Sequence, residues 1–218
     1  MLDFSVLTGH FNLYLRGLGN TLAASVITLV ASLIWGTVLA VMRIVRVRIL
    51  NIVATAYVEF IRNIPFVLVV FVFYYGAASF NINLNGFVAG AIGLTVYTSA
   101  FIAETVRAGI LSIAKGQMEA ARSTGLSYVQ SMRYIILPQA MRVVLPPLGN
   151  QFLNLIKNTS VLGLIAGFDL MYYGDLIQSD TFQTFTVYFF VALFYLVLTV
   201  PLSFGVKYLE RHLAQARA

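Results

Sequence analysis

Long uncharged apolar stretches alternate with short polar, charge-bearing ones along this 218-residue chain. The apolar stretches are of bilayer length, since about 20 apolar helical residues cross the hydrocarbon layer. Residues 17–42 carry no charge and predict a first span near 18–41, which ends in a basic turn with Arg43, Arg46 and Arg48. Residues 63–103 are again uncharged, and the turn-forming run Asn81-Ile82-Asn83-Leu84-Asn85-Gly86 divides them, predicting spans near 51–80 and 87–109. A fourth span near 147–168 follows a long basic connection, and a fifth near 185–206 precedes the tail at 207–218. The expected fold is all-α and polytopic, with five transmembrane helices in a single transmembrane domain covering residues 1–218. No internal repeat, low-complexity tract or soluble-domain linker interrupts it.

Composition sharpens this picture. A chain that is 60% hydrophobic and 10% charged, with a mean hydropathy of +0.87, has too little polar surface for a soluble enzyme. Its net charge of +6 is spread between the spans and forms no continuous face, so it points to membrane orientation rather than nucleic acid. The predicted loops at 81–86 and 169–183 contain no Lys or Arg, whereas Arg43, Arg46, Arg48, Lys115, Arg122, Arg133, Arg142, Lys207, Arg211 and Arg217 fall on the opposite side. The positive-inside rule then places the N-terminus outside and the C-terminus inside, with Arg16 the sole basic residue on the outer side. Cysteine is absent and His10 and His212 lie at opposite ends of the chain, so no metal site is expected. Residues 1–16 lack the basic flank and apolar core of a signal peptide, and the first span is expected to be retained.

The connection near 112–146 is too polar to cross the membrane and too rich in helix formers for a slack loop. Two short helices with a turn at Gly125 fit it: Glu119, Ala120 and Ala121 favour helix, Gly125 allows a helix to end, Ser127 can cap the next one, and Pro138 limits it. The small Ala120 and Ala121 suit close approach to a groove on another protein, with Glu119, Arg122 and Arg133 as orienting polar contacts.

The spacing Glu119-Ala120-Ala121, Gly125, Ile135, Leu137-Pro138 resembles, without a gap, the EAA motif of ABC-importer permeases. Ala103-Glu104, Arg107-Ala108-Gly109-Ile110, Gly116-Gln117, Leu137-Pro138-Gln139-Ala140, Leu145-Pro146-Pro147-Leu148-Gly149-Asn150 and Lys157-Asn158-Thr159-Ser160 are similar to the permeases for polar amino acids, the histidine, glutamate, glutamine, arginine and opine group. The resemblance covers roughly residues 17–211. It implies the type I ABC importer permease architecture and a bacterial inner-membrane location. It also implies a second permease copy or paralogue, an extracytoplasmic solute-binding protein, and two cytoplasmic ATPase subunits that carry the ATP and Mg. Glu119, Ala120, Ala121, Arg122 and Gly125 would then couple to those ATPases, moving as a rigid lever as the ATPase pair closes. This chain has no Gly-x-x-x-x-Gly-Lys loop, so no nucleotide site or other cofactor is expected on it, and it is not expected to be an enzyme.

The fourth predicted span is unusually polar, with Asn150, Asn154, Lys157 and Asn158 on one helical face and Gln151 beside it. A cation at the bilayer centre costs about 2.5–3.5 kcal/mol on insertion scales, so Lys157 is expected to face protein or a watery path. Gln151 and Asn154 are candidate substrate contacts, with Lys157 and Asn158 near the path and Tyr97 and Thr98 contributing from the third span. Hydrogen bonding between helices is the alternative use of these groups. Glu59 with Arg62 and Glu104 with Arg107 are spaced for local i,i+3 pairs. Pro65 weakens the second span, and Ile64 and Val69 are candidates to line a passage there. Relatives often carry glutamate where Gln151 stands, which favours glutamine, glutamate or aspartate over cationic amino acids as substrate. The outer Asp169, Asp175 and Asp180 either meet the delivering protein or form a solvated acidic loop. A self-contained ion-coupled transporter or channel is the rival function, although the inverted repeats common in that class are not evident. A membrane scaffold that only tethers an ATPase is a third.

Overall fold

The computed structural model describes residues 2–215, so Arg217 lies outside the described residues. Helix α1 (Phe4–Gly9) starts where the Asp3 carboxylate accepts from the Ser5 N–H at 2.9 Å, and α2 (Phe11–Ile44) contains the first predicted span. The second span is a bent pair: α3 (Arg48–Arg62) and α4 (Phe66–Ser79) meet at 105° across Asn63, Ile64 and Pro65. Pro65 lacks an N–H, and the extended backbone preferred next to a proline stops α3 while leaving Pro65 to open α4. The third span is α5 (Gly86–Leu111), capped by the Asn85 side chain, which accepts from the Val88 N–H at 2.8 Å.

Beyond α5, α6 (Lys115–Ser123) turns at Gly125, whose φ of +88° lies in the left-handed region that favours glycine. Helix α7 (Tyr128–Ser131) opens with a capping box in which Ser127 and Gln130 satisfy each other's backbone N–H groups. A π-helical turn (Met132–Ile136) then leads without interruption into α8 (Leu137–Asn158) and a 3-10 stretch (Thr159–Ile165). Pro138 was expected to stop this helix. It instead lies inside the continuous rod, directly after the π-helical turn. The helical rod that holds the fourth predicted span thus starts well before Pro147, with Pro146 and Pro147 inside α8. Helix α9 (Leu170–Thr181) leaves this rod at 47°, and α10 (Thr184–Gln215) is the fifth span. The five expected spans therefore appear as three unbroken helices and two bent pairs.

Helix α5 sits centrally, against α2, α3, α4 and α8. Small residues permit this: Ala24, Ser25, Thr28, Ser32 and Gly36 of α2 are buried, as are Gly90, Gly93, Ser99 and Ala103 of α5. In a bilayer, where lipid is as apolar as leucine, such close approach replaces the hydrophobic drive for helix association. A Cβ on Gly36 would lie 2.7 Å from Ile102 Cγ2 and 2.8 Å from the Ser99 carbonyl oxygen, whereas one on Gly19 would meet nothing within 4 Å. Gly36→Ala is expected to cost about 1–3 kcal/mol by overpacking, and Gly19→Ala to cost nothing. Thermal unfolding of the two variants in detergent measures the contrast. Large apolar side chains stay exposed on the perimeter, among them Ile34, Trp35, Val72, Val197 and Phe204, as suits contact with lipid tails.

At the end opposite the basic turns, α1, α9 and α10 enclose Tyr14, Leu170, Ile177 and Phe190. The acidic loop expected there is dismantled. Asp169 is fully buried and caps α9, accepting from the Met171 and Tyr172 N–H groups at 3.0 and 3.2 Å and from the Tyr195 hydroxyl at 3.3 Å. Asp175 accepts from the Tyr188 hydroxyl at 2.6 Å. Asp180 alone of the three presents a largely exposed side chain, 3.2 Å from His10.

Candidate functional site

The π-helical turn and the unbroken α8 bring one polar stripe against α5. Tyr97 and Phe101 of α5 and Gln151, Asn154, Lys157 and Asn158 of α8 line a cavity of about 420 Å³. Five of the six residues expected to meet substrate are therefore neighbours in space. The sixth, Thr98, is buried on another face of α5 and does not line the cavity, because one residue along a helix turns the side chain by about 100°. Ile64 and Val69 do not line it either: Ile64 is half-buried and Val69 is packed inside the protein.

Phe101 was not foreseen, although its i,i+4 spacing from Tyr97 could have indicated it. The two rings lie 4.9 Å apart, Phe66 of α4 lies 4.9 Å from Tyr97, and the Arg62 guanidinium sits 5.5 Å from the Phe101 ring centre. One wall is thus an aromatic ladder and the other an array of amides beside an ammonium. No carboxylate lines the cavity, and among the described residues Lys157 makes no ion pair. Such a hollow offers hydrogen-bond donors and positive charge to a carboxylate, amide donors and acceptors to a polar side chain, and aromatic surface to its methylenes.

Below it, toward the basic end, the expected local pairs merge into one cluster. Arg43 of α2 approaches Glu104 at 2.6 Å and Glu59 at 3.6 Å. Arg62 lies 3.9 Å from Glu59 and 3.7 Å from Glu104, and Arg107 lies 2.8 Å from Glu104. The i,i+3 pairs exist, but the Arg43 side chain, only 6% exposed, ties three helices together through them. Its partner Glu104 is 61 residues away, a relation that local spacing does not reveal.

In the connection, Glu119 and Ala120 are exposed, but Ala121 is packed within the chain, so only one of the two alanines is presented outward. The Arg122 side chain donates to the Leu126 carbonyl at 3.1 Å and so closes the turn at Gly125. Gly125 itself is exposed, with open space around its Cβ position.

Comparison with known proteins bears on the family and the fold. The chain is 58% identical over 215 residues to the probable glutamine ABC transporter permease protein GlnM of Bacillus subtilis (strain 168), covering 99% of this chain and all of that one. It is 36% identical over 213 residues to the glutamine transport system permease protein GlnP of Escherichia coli (strain K12), covering 97% of each. Among solved structures, an amino acid ABC transporter crystallised with histidines superimposes with a TM-score of 0.92 at 34% identity, over 97% of this chain and 99% of that one. The MetNI methionine ABC transporter in an inward-facing conformation shares the fold, with a TM-score of 0.78 at 22% identity over 94% of this chain and 98% of that one. Residues 32–215 match the family described as binding-protein-dependent transport system inner membrane component, and the chain belongs to that family of multi-pass membrane permeases.

Proposed function

We propose that this chain is the transmembrane subunit of an ATP-driven importer of polar amino acids, with glutamine, glutamate and aspartate favoured. The observation that carries this reading is the α5/α8 cavity, where Gln151, Asn154, Lys157 and Asn158 face Tyr97 and Phe101 with no carboxylate among them. The substrate carboxylate would meet Lys157, a polar side chain the amides, and its methylenes the aromatic ladder. A cationic side chain finds no counter-charge there. The glutamine permeases among the relatives support the same substrate class.

A five-span chain encloses a path poorly, so a second copy or a paralogue would complete it. The chain would sit in the bacterial inner membrane with its N-terminus outside. An extracytoplasmic solute-binding protein would deliver the amino acid, and ATP hydrolysis with its Mg would belong to two cytoplasmic ATPase subunits coupled through Glu119, Ala120, Arg122 and Gly125 near 112–146. Ala121 would support that contact from inside. ATP and the loaded binding protein would favour different states of the path, as any ligand-driven transition requires.

The test is uptake by the assembled complex. Gln151→Ala and Asn154→Ala are each expected to raise the apparent KM about 2–10-fold, the effect of losing one uncharged hydrogen bond, and to lower substrate-stimulated ATPase activity. Glutamine, glutamate or aspartate should compete for uptake and arginine or lysine should not. Unchanged KM in both variants, or equal competition by arginine, overturns the site assignment. Uptake that persists without any ATPase subunit would instead favour an ion-coupled transporter.

A further inference from the structure

Helix α3 has two unlike faces. Ala54, Val58 and Ile61 are buried in one cluster with Leu39 and Ala40 of α2 and Ala100 and Ala103 of α5, so α3 crosses those helices at one level near the basic end instead of running along either. Asn51 and Glu59 hold it there, the first donating to the Arg43 carbonyl and the second lying 3.6 Å from the Arg43 guanidinium. On the opposite face, Ile49, Ile52, Val53, Ala56 and Phe60 fall at three- and four-residue spacing and form an exposed apolar stripe. The four large side chains among them are between 56% and 74% exposed. Arg46 and Arg48 stand at the start of the stripe, both exposed and, among the described residues, without a hydrogen bond or ion pair.

We propose that α3, with Arg46 and Arg48, is a docking surface for anionic phospholipid, its stripe lying among acyl chains and its two guanidinium groups holding net-negative headgroups. The proposal goes beyond the import reading and does not depend on which amino acid is carried. The geometry of α3 suits the surface of a bilayer. It meets α4 at 105°, so where α4 rises through the hydrocarbon, α3 lies close to the membrane plane. A helix so placed buries its apolar side at the boundary between headgroups and acyl chains, and long cationic side chains at its edge reach the phosphates.

Charge selects the occupant. A second copy would also cover an apolar stripe, but its own α3 would bring two more arginines and no free carboxylate. Glu59 is the one acid on α3, and it lies within 4 Å of Arg43 and Arg62. Arg46 and Arg48 would then be enclosed against an apolar face without a counter-charge, which is a costly arrangement. An anionic headgroup supplies the missing charge, and each arginine near such a surface strengthens attachment about fivefold.

The experiment places the complete importer, with cysteine-free partner subunits, in phosphatidylcholine nanodiscs. The chain itself contains no cysteine, so Ile52→Cys carries a single bimane label on the stripe. Nanodiscs with rising fractions of brominated phosphatidylglycerol or brominated phosphatidylcholine are compared, and the quenching curves give the ratio of the two apparent affinities. With the native arginines, phosphatidylglycerol should be preferred by on the order of 25-fold, the product of about fivefold from each arginine. Arg46→Gln combined with Arg48→Gln should remove the preference, whereas Arg46→Lys combined with Arg48→Lys, which keeps both charges, should retain most of it. Absence of quenching by either lipid would mean that protein covers the stripe, and overturns the proposal. Equal quenching by both lipids with the native arginines, or a preference unchanged in the glutamine pair, overturns it as well. A preference abolished by saturating inorganic phosphate at constant ionic strength would reveal a site for free anions, and the lipid assignment falls.

Discussion

Replacing Glu104 with alanine is expected to destabilise the folded chain by about 3 kcal/mol, the lower end of the cost of stripping a counter-charge from a buried ion pair. Glu104 lies within 4 Å of Arg43, Arg62 and Arg107, which come from three different helices. Its removal leaves Arg43 and Arg62 with Glu59 alone, whose side chain is half exposed, and leaves Arg107 with no ion pair among the described residues. The lower end applies because Glu104 is itself 24% exposed, so water recovers part of the loss. The melting midpoint in detergent should fall by on the order of 10 °C for a chain of this size. The double replacement Arg43→Met with Glu104→Met should recover part of that loss, since it removes a charge of each sign together. A Glu104→Ala protein that melts with the wild type would show that the cluster contributes no net stability.

Glu119→Lys and Gly125→Asp are expected to abolish ATP-driven uptake while leaving insertion and folding intact. Glu119 is exposed and makes no hydrogen bond or ion pair within the chain among the described residues, so reversing its charge breaks nothing internal. The Cβ position of Gly125 has no neighbour within 4 Å, and its positive φ is one that aspartate tolerates better than most side chains. A complete loss of transport from two such positions reports a contact made by a separate subunit. Co-purification of ATPase subunits with the wild type but not with either variant checks it, and retained association in both would show that α6 is not the contact. Ala121 gives the complementary case. A large residue there would disturb the chain's own packing, so its variants cannot separate coupling from folding.

The sequence makes the spans legible because a bilayer demands long uncharged runs; α5 matches its predicted span to within about two residues at each end, whereas α2 begins earlier and α10 runs on later than predicted. The polar stripe on α8 is legible for the same reason: amides and a lysine in an apolar helix tend to face inward, and the four contacts chosen there, Gln151, Asn154, Lys157 and Asn158, line one cavity, whereas Asn150 on the same predicted face is exposed and does not. What escapes the sequence depends on partners far along the chain. Glu59 and Arg62 announce each other at i,i+3, but nothing local announces Arg43. Asp169 looks like surface acidity until α2 and α10 close over it, and Thr21 Oγ1 accepts from the N–H of the next residue, Leu170, at 3.0 Å. Thr98 differs from Tyr97 by one step along a helix, a distinction that requires the packing direction of α5 and not merely its polarity. The bend at Pro65 was visible as a weakness, whereas its angle of 105° is set by how α4 packs against α5.

The π-helical turn at Met132–Ile136 acts as a phase adjuster for everything downstream. Such a turn accommodates one residue more than an α-helical turn, and one residue corresponds to about 100° of rotation about the axis. Without it, a rod continuing from α7 would carry Gln151, Asn154 and Lys157 around toward the lipid and present an apolar flank to Tyr97. The azimuth of the whole fourth span is therefore fixed by five residues at its root, between the 112–131 connection and the polar stripe of α8.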